Sequence, residues 1–251
     1  MLKIENIEKS FGQLKAVNGV SLEIEKDDIF GLIGPNGSGK STLFNIISGF
    51  YRKDKGEIYF DGERIDDLLP NQIVERGLCR TFQVSRAPER MTVLENMLLA
   101  AKNQVGENPL NALLKRPMVE RSRKKNLKKA KELLSELDLF HLKDEYSGNL
   151  SGGQKKLLAL GRIFMLEPKM VLLDEPTAGV NPTLTNNILK GMQNLREKTE
   201  NSFFIVEHDM GVISDVCRKV FVLNSGEILA EGSPEEIQQN DKVLDAYLGR
   251  N

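Results

Sequence analysis

The stretch IFGLIGPNGSGKST, residues 29 to 42, sets a short apolar run, a glycine-rich loop with a lysine, and a helical pattern in direct succession. An apolar run of this length ending in glycine reads as a buried parallel strand. The loop after it satisfies G-x-x-x-x-G-K-[ST] in the strand-then-helix context that this pattern requires. Glycines let the backbone wrap closely around an anion, while successive N–H groups and the helix N-terminus point at it. Gly34, Pro35, Asn36, Gly37, Ser38, Gly39, Lys40, Ser41 and Thr42 are therefore expected to cradle nucleotide phosphates. Lys40 is positioned to reach the β- and γ-phosphates, and Ser41 to ligate Mg²⁺.

A second glycine cluster, NLSGGQKK at 149 to 156, also stands directly ahead of a helical pattern but has no lysine of the phosphate-loop kind. The apolar segment MVLLDE, 170 to 175, delivers Asp174 and Glu175 to a strand end. Asp174 is suited to the Mg²⁺ shell, and Glu175 to accepting a proton from an attacking water. His208 ends the apolar run FFIVEH, at the end of a buried strand where α/β ligand sites gather.

Residues 2 to 33 alternate as strands, and GEIYFDGERI reads as a further edge strand with an Asp-Gly turn. Helical spacing dominates from about 89 to 168, and strands return at 170–175, 202–209 and 220–229. That order predicts an α/β core with an α-helical insert. The chain has 251 residues, of which 40% are hydrophobic and 28% charged, enough to fill a core and unlike a disordered or fibrous chain. Its net charge of −1 provides no global field for nucleic acid. Locally, Lys115 to Lys131 carries nine basic residues against Glu120 alone, which reads as a solvated helix face. Cys79 and Cys217 lack metal-ligand spacing and suit free buried thiols. The N-terminus has no apolar signal core, and no run approaches the roughly 20 apolar residues of a membrane helix.

Taken in order, GPNGSGKST, Gln83 in RTFQ, LSGGQ, MVLLDEP and His208 resemble the ATP-binding subunit of ATP-binding-cassette (ABC) transporters, whose signature is LSGGQ. The resemblance spans essentially the whole chain. It implies a P-loop NTPase core with an antiparallel β subdomain and a helical subdomain, forming a single ATP-binding domain over 1–251. The β subdomain and core would occupy about 1–85 and 168–251, and the helical subdomain about 86–167. It further implies a head-to-tail pair of subunits in which the signature of one caps the nucleotide in the phosphate loop of the other. Two glycine clusters would then serve one ATP from different molecules.

On that resemblance Phe11 stacks on adenine, and Gln83 senses Mg²⁺ and the attacking water while touching a membrane partner. Ser151, Gly152, Gly153 and Gln154 approach the neighbour's γ-phosphate, Glu175 is the catalytic base, and His208 contacts the γ-phosphate. One departure is Asn181, where the family often has Asp after DEPT, which removes a charge at the expected dimer seam.

A lone cassette without membrane helices looks like a separately encoded ATPase. It would sit at the cytoplasmic face of the cell membrane through permease subunits and work indirectly with a solute-binding protein. GLCRTFQ, MTVLENMLLAA, EPTAGVNP, IVEHDM and the terminal AYLG are similar to the branched-chain amino-acid importer ATPases. Urea or amide importers share most of these features, and the lipopolysaccharide-export ATPase shares the AGV loop and YLG tail. Non-transport cassettes that work on DNA ends or ribosomes usually carry two cassettes or a long coiled-coil insert, and neither is present, so nucleic acid is not an expected partner.

Overall fold

The computed structural model describes residues 1–81, 87–102, 104–107 and 113–248. The chain divides into two units, Met1–Gln83 with Pro168–Pro176 and Arg196–Asn251, and Val84–Glu167 with Thr177–Leu195.

The first unit holds two sheets. Strands β1 (Leu2–Phe11) and β2 (Leu14–Ile24) pair with β4 (Lys55–Phe60) and β5 (Glu63–Arg64) in the antiparallel order β2-β1-β4-β5. The turn between β4 and β5 is the expected Asp61-Gly62, and both residues have positive φ, 51° and 82°. This is the backbone that a tight right-twisted hairpin demands.

In the second sheet, β3 (Ile29–Ile33), β6 (Leu78–Arg80), β7 (Met170–Asp174), β8 (Ser202–Val206), β9 (Lys219–Asn224) and β10 (Glu227–Gly232) run in the order β10-β9-β3-β8-β7-β6. All neighbours are parallel except β10 with β9. Every residue of β3, β7 and β8 is buried, which explains why these strands read as continuous apolar runs without alternation. The stretch 220–229, which reads from sequence as one strand, is a hairpin. Ser225 and Gly226 take positive φ of 49° and 83° and turn the chain back on itself.

Helix α1 (Lys40–Ile47) leaves the end of β3 and packs Phe44 against Phe204 of β8, with ring centroids 5.1 Å apart. The short α2 (Pro70–Glu75) precedes β6. Cys79 and Cys217 are both buried, and burial pushes the Cys217 thiol up to about 12.

The second unit is helical. It comprises α3 (Val93–Leu99), α4 (Arg116–Glu136), α5 (Gly152–Met165) and the part of α6 (Pro182–Thr199) up to Leu195. Thr92 and Glu95 cap α3 reciprocally, as S/T-x-x-E predicts. A Cβ at Gly161 of α5 would lie 2.9 Å from both Leu137 and Met97, so this glycine sets how closely α5 approaches its neighbours. Back in the first unit, α7 (Met210–Val216), α8 (Pro234–Gln238) and α9 (Asp241–Leu248) complete the chain. Among the described residues, no helix is long and apolar enough to cross a membrane.

Candidate functional site

The carboxyl ends of β3, β7 and β8 open onto one cleft of ≈530 Å³, the end of a parallel sheet at which ligands gather. Phe11, Asn36, Gly37, Gly39, Lys40, Ser41, Thr42, Glu175 and His208 all line it, in keeping with the sequence motifs. Leu14, Lys15 and Ala16 of β2, and Ser225 of the β9–β10 turn, line it too. None of these four carries a motif, and they reach the cleft only through tertiary folding.

Gly34, Pro35 and Ser38 form the back of the loop. Gly34, Gly37 and Gly39 adopt φ of 151°, 79° and 105°. A Cβ at Gly34 would sit 2.0 Å from the Leu223 carbonyl oxygen, and one at Gly39 2.2 Å from that of Ala16. These two positions exclude any side chain, so the loop is pressed against β9 at Leu223 and β2 at Ala16. Buried Ser38 fixes it further, since its carbonyl accepts from the Gly226 N–H at 3.0 Å. Lys40 Nζ donates to the carbonyls of Gly34 and Pro35 at 2.8 and 2.9 Å. Burial lowers the Lys40 pKa, and the negative charges of Glu175 and Asp174 oppose that shift.

Asp174 ends β7 as a buried carboxylate. Its Oδ2 accepts from Arg80 Nη2 at 2.8 Å, whereas Oδ1 is buried without a hydrogen-bond partner among the described residues. Such an orphaned anionic oxygen beside a phosphate-type loop fits a cation or an ordered water. Glu175 has a φ of 48°, in the left-handed region that residues with a side chain rarely adopt, and its N–H donates to the Val206 carbonyl at 2.9 Å. Its Oε1 lies 2.9 Å from His208 Nε2. The two side chains singled out for proton transfer and phosphate contact thus touch each other.

Arg80 carries no motif and escapes a reading of the sequence. Besides Asp174 it donates to Asn45 Oδ1 at 2.7 Å and Ser48 Oγ at 3.1 Å. The available signal is a lone arginine closing the apolar strand GLC, a position that needs a buried partner. Phe11 is 46% exposed at the cleft edge, which argues against a core role, and meets Tyr51 edge-on at 5.6 Å. Gln83 lies outside the described residues.

The second glycine cluster belongs to the helical unit. Ser151 caps α5: its Oγ accepts from the Gln154 N–H at 3.3 Å, and the Gln154 side chain accepts from the Ser151 N–H at 2.9 Å. The two glycines differ. Gly152 is exposed, and a Cβ there would meet nothing within 4 Å, whereas one at Gly153 would meet Leu184 at 2.8 Å. Asn181 caps α6 by accepting from the Leu184 N–H at 2.9 Å. Asparagine fills that cap as well as aspartate does, so the departure from the family pattern costs no helix stability.

The family model described as ABC transporter matches residues 17–178, and that described as branched-chain amino acid ATP-binding cassette transporter matches 227–251. The chain is 41% identical to a probable branched-chain amino acid transport ATP-binding protein LivG of Methanocaldococcus jannaschii, over 99% of this chain and 97% of that one. It is 37% identical to the high-affinity branched-chain amino acid transport ATP-binding protein BraF of Pseudomonas aeruginosa, covering 99% and 98%. Among solved structures it is similar to the ADP conformation of an ATP-binding cassette of an ABC transporter, with 40% identity, TM-score 0.83, and 99% and 98% of the two chains covered. The phosphate loop, the carboxylate pair, the signature segment and these relatives agree, and the chain belongs to the ABC transporter family as an ATP-binding cassette.

Proposed function

We propose that this chain is the Mg²⁺-dependent ATPase that drives import of branched-chain amino acids through separate membrane permeases. The observation that carries the chemistry is the convergence of Lys40, Glu175 and His208 on one cleft at the carboxyl ends of β3, β7 and β8. The solute class rests on the LivG and BraF relatives and on the match at 227–251.

In this reading the backbone N–H groups of Gly34 to Thr42 hold the phosphates of ATP, Lys40 leaves its two carbonyl partners for the β- and γ-phosphates, and Phe11 stacks on the adenine. Ser41 and Asp174, with Gln83, would hold Mg²⁺, which supplies neutralisation of phosphate charge. Among the described residues no cluster of three or more His, Cys, Asp or Glu could hold a metal ion unaided, so phosphate oxygens and water would have to complete the shell. Glu175 accepts the proton of the attacking water, and His208 orients Glu175 and contacts the γ-phosphate.

Ser151, Gly152, Gly153 and Gln154 act on the nucleotide of a second cassette, the same chain or a paralogue. A dimeric bacterial ABC transporter cassette, 26% identical to this chain with a TM-score of 0.74, provides the precedent for pairing. The chain works as a single ATP-binding domain over 1–251, with a helical subdomain at about 86–167. It sits at the cytoplasmic face of the membrane through its permeases, with a solute-binding protein as indirect partner.

The test is reconstitution of the cassettes with their permeases in proteoliposomes that contain the binding protein. Leucine, isoleucine and valine should stimulate ATP hydrolysis, and Lys40→Ala should remove it. Stimulation by urea or short amides in place of the three amino acids would overturn the solute assignment.

A further inference from the structure

The nine cations between Lys115 and Lys131 take no part in the cleft, and α4 shows how they are arranged. Ala130, Leu133 and Leu134 form its buried face. Arg121, Lys124, Lys128 and Lys131 are all exposed and, at i, i+3, i+7 and i+10, share the opposite face. Lys129 is turned away and pairs with Glu167 at 2.9 Å, so it is a structural cation and not part of the stripe. Two acids border the stripe: exposed Glu120 stands one turn before Lys124, and Glu132 lies 3.7 Å from Lys128 with both side chains largely in water, which is a weak tie.

Exposed apolar residues precede the stripe along the chain. Leu113 and Leu114 are 66% and 74% exposed and Met118 is 55% exposed, with Met118 one turn before Arg121. Consecutive exposed leucines gain nothing from water, and basic residues around them favour an anionic surface with an apolar interior. Nucleic acid would engage the cations but leave the leucines in water.

We propose that the Arg121–Lys131 stripe of α4, together with Leu113, Leu114 and Met118, docks on the anionic surface of a lipid bilayer. The proposal builds on the reading that the chain works at a membrane, and adds a contact to lipid that is independent of any permease. The cations meet headgroup phosphates while the leucines enter the headgroup–acyl boundary. Each cation near an anionic surface strengthens binding by about fivefold, and the effect fades beyond a Debye length of roughly 10 Å.

The purified full chain, without permeases, should sediment with vesicles of equimolar phosphatidylglycerol and phosphatidylcholine at low salt. It should be released by high salt and not sediment with phosphatidylcholine alone. The combined variant Arg121→Gln, Lys124→Gln, Lys128→Gln and Lys131→Gln should weaken binding by at least about a hundredfold. Leu113→Ser with Leu114→Ser should weaken it without changing the salt dependence. Circular dichroism and soluble ATP hydrolysis should be unaltered in both variants, since none of these residues touches the cleft. No sedimentation with the anionic vesicles, unchanged binding in either variant, or tighter binding to transfer RNA than to the vesicles would overturn the proposal. The ATPase reading survives any of those results, because neither hydrolysis nor permease pairing enters the assay.

Discussion

Arg80 Nη2 stands 2.8 Å from Asp174 Oδ2, and the same guanidinium reaches Asn45 and Ser48, so one buried side chain ties the end of β6 to the end of β7 and to α1. The Arg80 and Asp174 side chains are 10% and 6% exposed. With Oδ2 held, Asp174 can turn only Oδ1 toward a ligand.

Removing one member of a buried ion pair leaves a charge without compensation, at a cost of about 3–5 kcal/mol. Arg80→Met should therefore lower unfolding free energy by that order, and Arg80→Met with Asp174→Asn should recover most of it without recovering ATP turnover. Denaturant titration of the double-mutant cycle checks this. Additive losses would show that Arg80 acts on α1 alone, through Asn45 and Ser48.

Glu175→Gln keeps an oxygen that can face His208 Nε2 but cannot accept a proton from water. Turnover should fall by about 10²–10⁴, the usual weight of a positioned base, with nucleotide affinity retained. Single-turnover kinetics and equilibrium ATP binding measured on the same preparation separate the two effects. Lost affinity would move Glu175 from proton acceptor to binding group.

Asp66 offers a pH test away from the cleft. Its side chain is fully buried, 2.7 Å from Lys53 and 2.9 Å from Arg64. Burial alone would raise its pKa, but the hydrogen bonds from Arg64, Lys53 and the Ile58 N–H outweigh it and bring the value down to about 2 from 3.8. A carboxylate depressed in the folded state stabilises it fully above the unfolded value and loses that contribution as pH falls from about 4 to about 2. The contribution is on the order of 2 kcal/mol. The stability gap between wild type and Asp66→Asn should shrink across that window, and a gap that stays constant with pH would refute the assignment.

The phosphate loop is legible in the sequence because its chemistry is local: glycines at fixed offsets, a lysine, and a strand before it. The steric need for glycine at Gly34 and Gly39 is not local, because Leu223 and Ala16, distant in sequence, leave no room for a Cβ. Arg80 is not legible, since Asp174 reaches it only through the pairing of β6 with β7, and Asn45 only through the packing of α1. The β9–β10 hairpin hides in its turn chemistry: Asn-Ser-Gly reads as part of one strand, although Ser225 tolerates the left-handed backbone that the turn needs. The paired glycines at 152 and 153 look equivalent in sequence, yet Leu184 accounts for the second and none of the described residues accounts for the first.

That difference shapes the test of whether the signature serves a neighbour's nucleotide. Ser151→Arg would block the segment but would also remove the cap of α5, at about 1 kcal/mol, and a lost activity could then be misread as misfolding. Gly152→Arg avoids this, because the position is exposed and a Cβ there meets nothing within 4 Å. A subunit with Lys40→Ala keeps its signature segment, and one with Gly152→Arg keeps its phosphate loop. If the two segments meet in trans, each variant alone has no complete site, but the mixture regenerates one per heterodimer. ATP-dependent pairing measured by analytical ultracentrifugation, with single-site hydrolysis as the second readout, should appear only when the variants are combined. If both segments served the nucleotide of their own chain, every subunit in the mixture would be defective, and mixing would restore nothing under conditions in which the wild type pairs.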